Sequence, residues 1–414
     1  MKIRTTDALL MLTVSLMISG CGERAGSTLE SGSDHTFELI RSQRVPIALN
    51  RGGPRYPGEL VLRQDLVIGE EGGPEEYILF SPTNLVVDDE GRMYQFDWDR
   101  KGILVYDRDG TWLRTLGREG QGPGEFDRRG GVFLFGFPDG TIDAMASAGT
   151  RWMRWTPDGE LLFDHRAFNT RSALGMTRFP TRSGETNFMW QNSVTVQDTM
   201  DCWRIYQLDA GARFVANVAT YPLGLDSYVR GVYRGNSLGI SIPFISDLIV
   251  ARGPNDLFAV TMGDSAVFDL YDVKFQHYLT VRWDALPTPL TREQFLDAWW
   301  EMPFNDPDNE DDPGWGFYQT LEPPACKPVI YNLIVDDDDR IWARLWGDLG
   351  WPIGWGPKPE SVSYAVFSGE GEYLYRIEVP FEIKAINGQF LYEVYNDGEN
   401  TPQLRRYSWE IVQP

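Results

Sequence analysis

Two stretches of the chain say nearly the same thing. Residues Ile68–Tyr77 read IGEEGGPEEY and residues Leu116–Phe126 read LGREGQGPGEF, with Gly69 and Gly117 lying 48 residues apart. Two turns repeat alongside them. Asp88-Asp89-Glu90-Gly91 is answered by Phe137-Pro138-Asp139-Gly140, and Asp107-Arg108-Asp109-Gly110 by Thr156-Pro157-Asp158-Gly159, the closing glycine moving by 49 residues in both cases. Asp/Gly pairs between segments that alternate apolar and polar residues are hairpin turns. A unit of this length, made of a Gly-Pro loop and a few strands, cannot bury its apolar faces alone and has to stack on copies of itself.

Carrying the template forward places the second strand of each unit near Met93, Ile142, Asn187, Leu257, Ile341 and Phe390, which makes six units. Third strands follow at Ile103–Asp107, Trp152–Thr156, Trp203–Leu208, Val267–Tyr271, Tyr364–Phe367 and Leu404–Trp409. Five units then have a fourth strand, and the sixth runs out of chain at Pro414. Glu59–Ile68 sits where a fourth strand belongs, so it is expected to complete the last unit. The expected fold is therefore all-β: a six-bladed β-propeller over residues 59–414, its ring closed by an N-terminal strand, which leaves no sheet edge unpaired within the ring.

These repeats resemble the NHL-type six-bladed β-propellers, and more closely the exported bacterial lipoproteins built from one such propeller. The resemblance is carried by Gly120–Phe126, by its variant at Gly72–Tyr77 and by the turn Asp88–Tyr94, and it departs in blades three to five, which lack the Gly-Pro loop and carry insertions. The family is functionally mixed, so the resemblance implies fold rather than activity.

The opening residues have the form of an export signal: basic Lys2 and Arg4, an apolar core over Ala8–Ile18 too short for a permanent span, then small residues. Ile18-Ser19-Gly20-Cys21 resembles the lipobox of bacterial lipoproteins, which implies lipid on Cys21 after removal of residues 1–20. Residues 21–58, polar and rich in Gly, Ser and Pro with one strand-like patch at Thr36–Ile40, read as lipid anchor and flexible tether. The chain carries 60 acidic against 38 basic residues, a net charge of −22, which argues against nucleic acid and anionic surfaces as partners. The expected place is the bacterial cell envelope, on the outer membrane because Gly22 rather than Asp follows the lipidated position. Cys202 and Cys326 are either bridged or two packed thiols.

Three insertions exceed what a blade needs, and added loops on such folds carry binding surface. Leu223–Ile245 is Gly-rich and reads as a lid or a long connection. Asp284–Lys327 opens with a helix capped by Thr291 and Gln294, which places Phe295, Ala298 and Trp299 on one face. It then offers Asp306, Asp308, Glu310 and Asp312 at alternate positions, either a calcium loop without its closing Glu or a solvated acidic loop. Trp346–Glu360 reads WGDLGWPIGWGPKPE, and by propeller topology it projects on the same side as the Gly-Pro loops. Candidate ligand-binding residues are Trp346, Asp348, Trp351 and Trp355 there, with Asp97, Trp98 and Arg100 in the matching loop of blade one, since indole rings on a Gly/Pro scaffold stack on sugars or grip apolar peptides.

Catalytic candidates are few. The chain has three His, one in the tether and two in fourth strands, which disfavours a His-ligated metal or a Ser-His-Asp site, and no P-loop, dinucleotide fingerprint or CxxC occurs. The expected function is a lipid-anchored binding or scaffolding module for a glycan, peptide or partner protein, with no required cofactor. The alternative is a calcium-dependent hydrolase or lyase, lactonase-like, drawing oxygen ligands from residues such as Asn84, Asn332 and Asn387.

Overall fold

The computed structural model describes residues 35–41, 43–127, 131–137, 139–146, 151–166, 177–180, 187–193, 202–209, 214–222, 228–233, 235–245, 248–300, 313–346, 360–396 and 401–412. Among them, six sheets of four or more strands follow one another. The first comprises Pro82–Val87, Met93–Asp97, Gly102–Tyr106 and Trp112–Leu116; the second Phe133–Gly136, Ile142–Ala146, Arg151–Trp155 and Leu161–Arg166; the third Thr177–Pro180, Asn187–Ser193, Cys202–Leu208 and Phe214–Pro222. The fourth contains Ile249–Arg252, Phe258–Thr261, Val267–Tyr271 and His277–Trp283; the fifth Ile330–Val335, Ile341–Leu345, Val362–Phe367 and Tyr373–Val379. In the sixth, Ala385–Asn387, Phe390–Tyr395 and Gln403–Val412 are joined by Glu59–Ile68, which pairs antiparallel with Gln403–Val412 from Val412↔Glu59 to Leu404↔Ile68.

The middle strands are nearly continuous apolar runs because both of their faces are covered. Met93–Asp97, Gly102–Tyr106 and Ile142–Ala146 are buried at every position, whereas the fourth strand Trp112–Leu116 is half exposed. Successive sheets share apolar layers: Tyr94, Phe96, Val105, Leu134 and Met153 between sheets one and two, Phe268, Val281, Val335 and Phe367 between four and five, and Trp342, Val366, Ile377 and Leu391 between five and six. Met93, Leu104, Tyr392 and Leu404 join sheet six to sheet one. Close-packed layers of this kind supply most of the stabilisation.

The buried acids of the first turns are structural. Asp88 accepts hydrogen bonds from the backbone N–H of Glu90 and Arg92, from Arg92 Nε at 2.7 Å and from the Tyr94 hydroxyl at 3.2 Å. Asp336 repeats the arrangement with Asp338, Arg340 and the Trp342 indole N–H at 2.8 Å. Satisfying a buried carboxylate with several donors is what makes its burial tolerable.

The stretch read as tether behaves differently from His35 onward. Thr36–Ile40 and Ile47–Arg51 form a hairpin, and the second of these runs parallel to His277–Trp283 on the outer edge of sheet four. Ala48 is fully buried in the layer between sheets four and five, and the chain then bonds sheet five through Arg55 N to Tyr373 O at 2.9 Å and Tyr56 N to Leu374 O at 3.0 Å. An outer strand with unpaired backbone groups is a template for one more strand, and this segment takes that place. The capped helix is present at Arg292–Trp300, with Thr291 and Gln294 exchanging bonds of 3.0 and 3.1 Å.

Candidate binding face

Each blade runs its first strand one way and its second back, so the loops from second to third strand emerge on the same side as the links from one blade to the next. The inserted segments meet on that side. Phe244 from the connection into blade four, Leu290, Phe295, Ala298, Trp299 and Tyr318 from the connection into blade five, and Trp346 from within blade five form one aromatic cluster. Phe295 stacks on Tyr318 at 4.6 Å, and the Tyr318 hydroxyl donates to Phe295 O at 2.6 Å. Burial drives the Tyr318 phenol far above its ordinary range. Three insertions distant in sequence thus share one small core above blades four and five.

Trp346 belongs to that core. It is 5% exposed, 5.9 Å from the Phe244 ring and 5.3 Å from the Tyr331 ring, so its indole holds the base of its insertion instead of facing solvent. Asp348, Trp351 and Trp355, the acidic run Asp306, Asp308, Glu310 and Asp312, and Cys21 lie outside the described residues.

The blade-one turn is likewise tightly built. Asp97 is fully buried and accepts from four backbone N–H groups, Phe80 at 2.7 Å, Ser81 at 3.3 Å, and Asp99 and Arg100 at 3.1 Å each. Its carboxylate fixes the turn. Arg100 donates to the carbonyls of Glu75 and Ile78, the latter at 2.9 Å, and lies over the Phe80 ring at 5.0 Å. Trp98 is half-buried, with Lys101 Nζ 3.2 Å above its ring. Asn84 and Asn387 donate to Val132 O at 2.5 Å and Asp88 O at 3.0 Å, stapling neighbouring blades. Among the described residues no three His, Cys, Asp or Glu side chains are grouped to hold a metal ion.

Sequence reading missed a hollow on the same side, at blade six. It measures about 340 Å³ and is lined by Gly69, Glu70, Glu71, Tyr395, Thr401, Gln403 and Arg405. The Arg405 guanidinium lies 3.6 Å from the Tyr395 ring, donates from Nε to Gln403 Oε1 at 2.8 Å and stands 3.7 Å from Glu393 Oε2. One signal was available. Tyr395 and Gln403 flank the loop between second and third strands, so blade six has the same loop position that drew attention in blades one and five.

A second hollow, of about 250 Å³, lies at the opposite ends of the first strands, where Asp88, Asp89, Phe137, Arg252, Asp337 and Asn387 gather from five different blades. Arg252 is engaged there with Asp256 at 2.7 Å. Burial raises the Asp337 carboxyl above its usual range, the Gly388 N–H opposes this, and the carboxylates of Asp336, Asp89 and Asp338 add to it.

No family model matches the chain, and no curated protein matches it. Among solved structures it is similar to a member of the DUF4221 family from Bacteroides vulgatus, with a TM-score of 0.52 and 10% identity over 86% of this chain and 99% of that one. It is also similar to a Bacteroides fragilis protein described as exported, with a TM-score of 0.47 and 9% identity over 86% and 99% of the two chains. Virginiamycin B lyase from Staphylococcus aureus gives a TM-score of 0.38 and 13% identity over 84% and 99%. The first of these likenesses is one of fold, and the fold is a β-propeller.

Proposed function

We propose that the protein is a lipid-anchored, six-bladed propeller of the bacterial cell envelope whose loop-bearing side binds a glycan, peptide or partner protein. The observation that carries this reading is the convergence of the three insertions, among the described residues, in one aromatic cluster on the side of the sheets where the blade-six hollow also opens. Added loops held by a rigid scaffold are the usual seat of binding. Pairing of Glu59–Ile68 with Gln403–Val412 supports a ring closed by the N-terminal strand. The leader and Cys21 support export and anchoring.

The test uses the full chain expressed in a host that lipidates it. Envelope extract is passed over the wild type and over a Trp351→Ala/Trp355→Ala variant. Capture by the wild type that falls at least tenfold in the variant, with melting temperature unchanged, is the expected result; capture unaffected by the variant counts against this side of the ring. Cys21→Ser should move the protein from the membrane to the soluble fraction, and membrane association that persists would overturn the anchor.

A further inference from the structure

The hollow of blade six narrows the ligand, an inference that rests on the binding reading above. We infer that Glu70, Glu71, Tyr395, Gln403 and Arg405 form a carbohydrate subsite for an uncharged or amino-bearing sugar. The volume of about 340 Å³ falls at the small end of ligand clefts, suited to one or two rings rather than to an extended chain. Among the described residues no aliphatic side chain lines it, so an apolar peptide anchor finds nothing there to fill.

The polar groups divide into two sets. Arg405 is already committed, to Gln403 at 2.8 Å, to the Tyr395 ring at 3.6 Å and to the nearby Glu393 carboxylate at 3.7 Å, so its charge is balanced within the protein. Glu70 and Glu71, exposed at the lip, have neither a side-chain hydrogen bond nor an ion pair among the described residues. Two carboxylates without protein partners among the described residues accept from vicinal hydroxyls or from the ammonium of an amino sugar in exchange for water. The same carboxylates repel uronate, sulfate and phosphate groups, as does the chain's net charge of −22.

The floor is fixed before any ligand arrives. Leu404, between the lining residues Gln403 and Arg405, pairs with Ile68, next to Gly69, both 2% exposed or less, and the stacked Tyr395 and Arg405 side chains restrain one another. A site whose groups are held in place loses little freedom on binding. The half-buried Tyr395 and Thr401 add an aromatic surface and a hydroxyl, the usual complement of a sugar ring.

The experiment presents the full chain, purified in detergent, to an array of neutral, amino-bearing, uronate-containing and sulfated glycans, with polylysine as the peptide control. Wild type should retain neutral and amino-bearing glycans and neither of the anionic classes. E70Q/E71Q should weaken the amino-bearing glycans at least tenfold and the neutral ones less, and Tyr395→Ala should weaken both at least tenfold, each with unchanged melting temperature. Retention of no glycan, preference for the anionic classes, retention of polylysine instead, or indifference to both variants would overturn the subsite. Carrying the Trp351→Ala/Trp355→Ala variant in parallel separates the two readings. A wild type blind to glycans whose envelope capture is still lost by that variant removes the sugar and keeps the face, whereas capture that no variant alters removes both.

Discussion

Arg151 and Asp164, on neighbouring strands of blade two, hold the Gly-Pro loop between them. Arg151 Nε meets Asp164 Oδ1 at 2.9 Å, while its terminal nitrogens donate to Glu125 O at 2.7 Å and Gly122 O at 2.5 Å. Asp164 Oδ2 in turn accepts from Gly124 N at 2.8 Å. The loop that links blade one to blade two is thus clamped by the blade it enters. Burial by itself would raise the Asp164 carboxyl, but Arg151 and the Gly124 N–H outweigh it and hold it below its usual range.

Asp164→Asn keeps the shape and leaves Arg151 without its counter-charge, so it should lower stability by roughly 3 kcal/mol at neutral pH. A carboxyl lowered on folding contributes stability above its unfolded value of 3.8, and that contribution is lost as pH falls through the lowered value. Urea unfolding at a series of pH values should therefore show the two proteins converging in acid. A gap that stays constant with pH would mean that the charge is not what matters.

The repeated glycines make a sharper prediction. Gly117 sits at φ +73°, and a Cβ there would lie 2.4 Å from the Phe126 ring and 2.8 Å from Gly124 O; at Gly69, φ +117°, it would lie 2.3 Å from Pro402 O. Gly72 has φ +75° with nothing within 4 Å. Alanine at 117 or 69 should therefore cost roughly 3 kcal/mol, through clash as well as backbone strain, and at 72 only about 1 kcal/mol. Thermal melts of the three single variants decide it, and three equal losses would sink the argument from close approach.

Those glycines are also why the fold was legible. A backbone that must turn with positive φ writes Gly at matching places in the first two blades, Gly91 and Gly140 and again Gly110 and Gly159, and the template they set carries on to strand starts at Asn187, Ile341 and Phe390 even though Asp256 and Asp339 take the positive-φ place in blades four and five. The site was less legible because contacts among insertions obey no repeat. Trp346 and Trp299 are as compatible with a binding surface as with a core until Phe244 and Tyr318 are brought beside them. Asp97 presents the same ambiguity, since a carboxylate in a loop looks available until four backbone N–H groups are found on it. Of the hairpin at Thr36–Arg51 only the patch Thr36–Ile40 was legible as a strand, and its docking was not. Its strands are only five residues each, and their partner lies some 230 residues away, where only the exposed edge of sheet four could have announced it.

Asn50 tests that hairpin. Its side chain is fully buried, donating to Gly371 O at 2.9 Å and Arg282 O at 3.2 Å and accepting from Tyr373 N at 2.8 Å, so one residue joins the segment to blades four and five. Asn50→Leu leaves two buried backbone groups, Gly371 O and Tyr373 N, and the part-buried Arg282 O without that partner and should cost roughly 3 kcal/mol. Limited proteolysis should then cut before residue 59 far faster than in the wild type. Unchanged protection there would show that the pairing with His277–Trp283 suffices alone.

Asp337, at the axial hollow, should respond to pH in the opposite sense to Asp164. Its side chain is exposed on one side yet partly enclosed, accepts a hydrogen bond from Gly388 N, and is raised by burial together with Asp336, Asp89 and Asp338. A carboxyl raised on folding is protonated more readily in the native state. Stability then declines as pH climbs from the unfolded value of 3.8 through the raised one, and the cost persists above it. Asp337→Asn removes that cost and keeps an acceptor for Gly388, so it should stabilise the protein at neutral pH by up to about 0.5 kcal/mol, a small effect because solvent screens the exposed side. Melting temperatures measured from pH 4 to pH 8 should separate progressively as pH rises. A variant less stable than wild type throughout would show that the carboxylate supports this end of the first strands rather than burdening it.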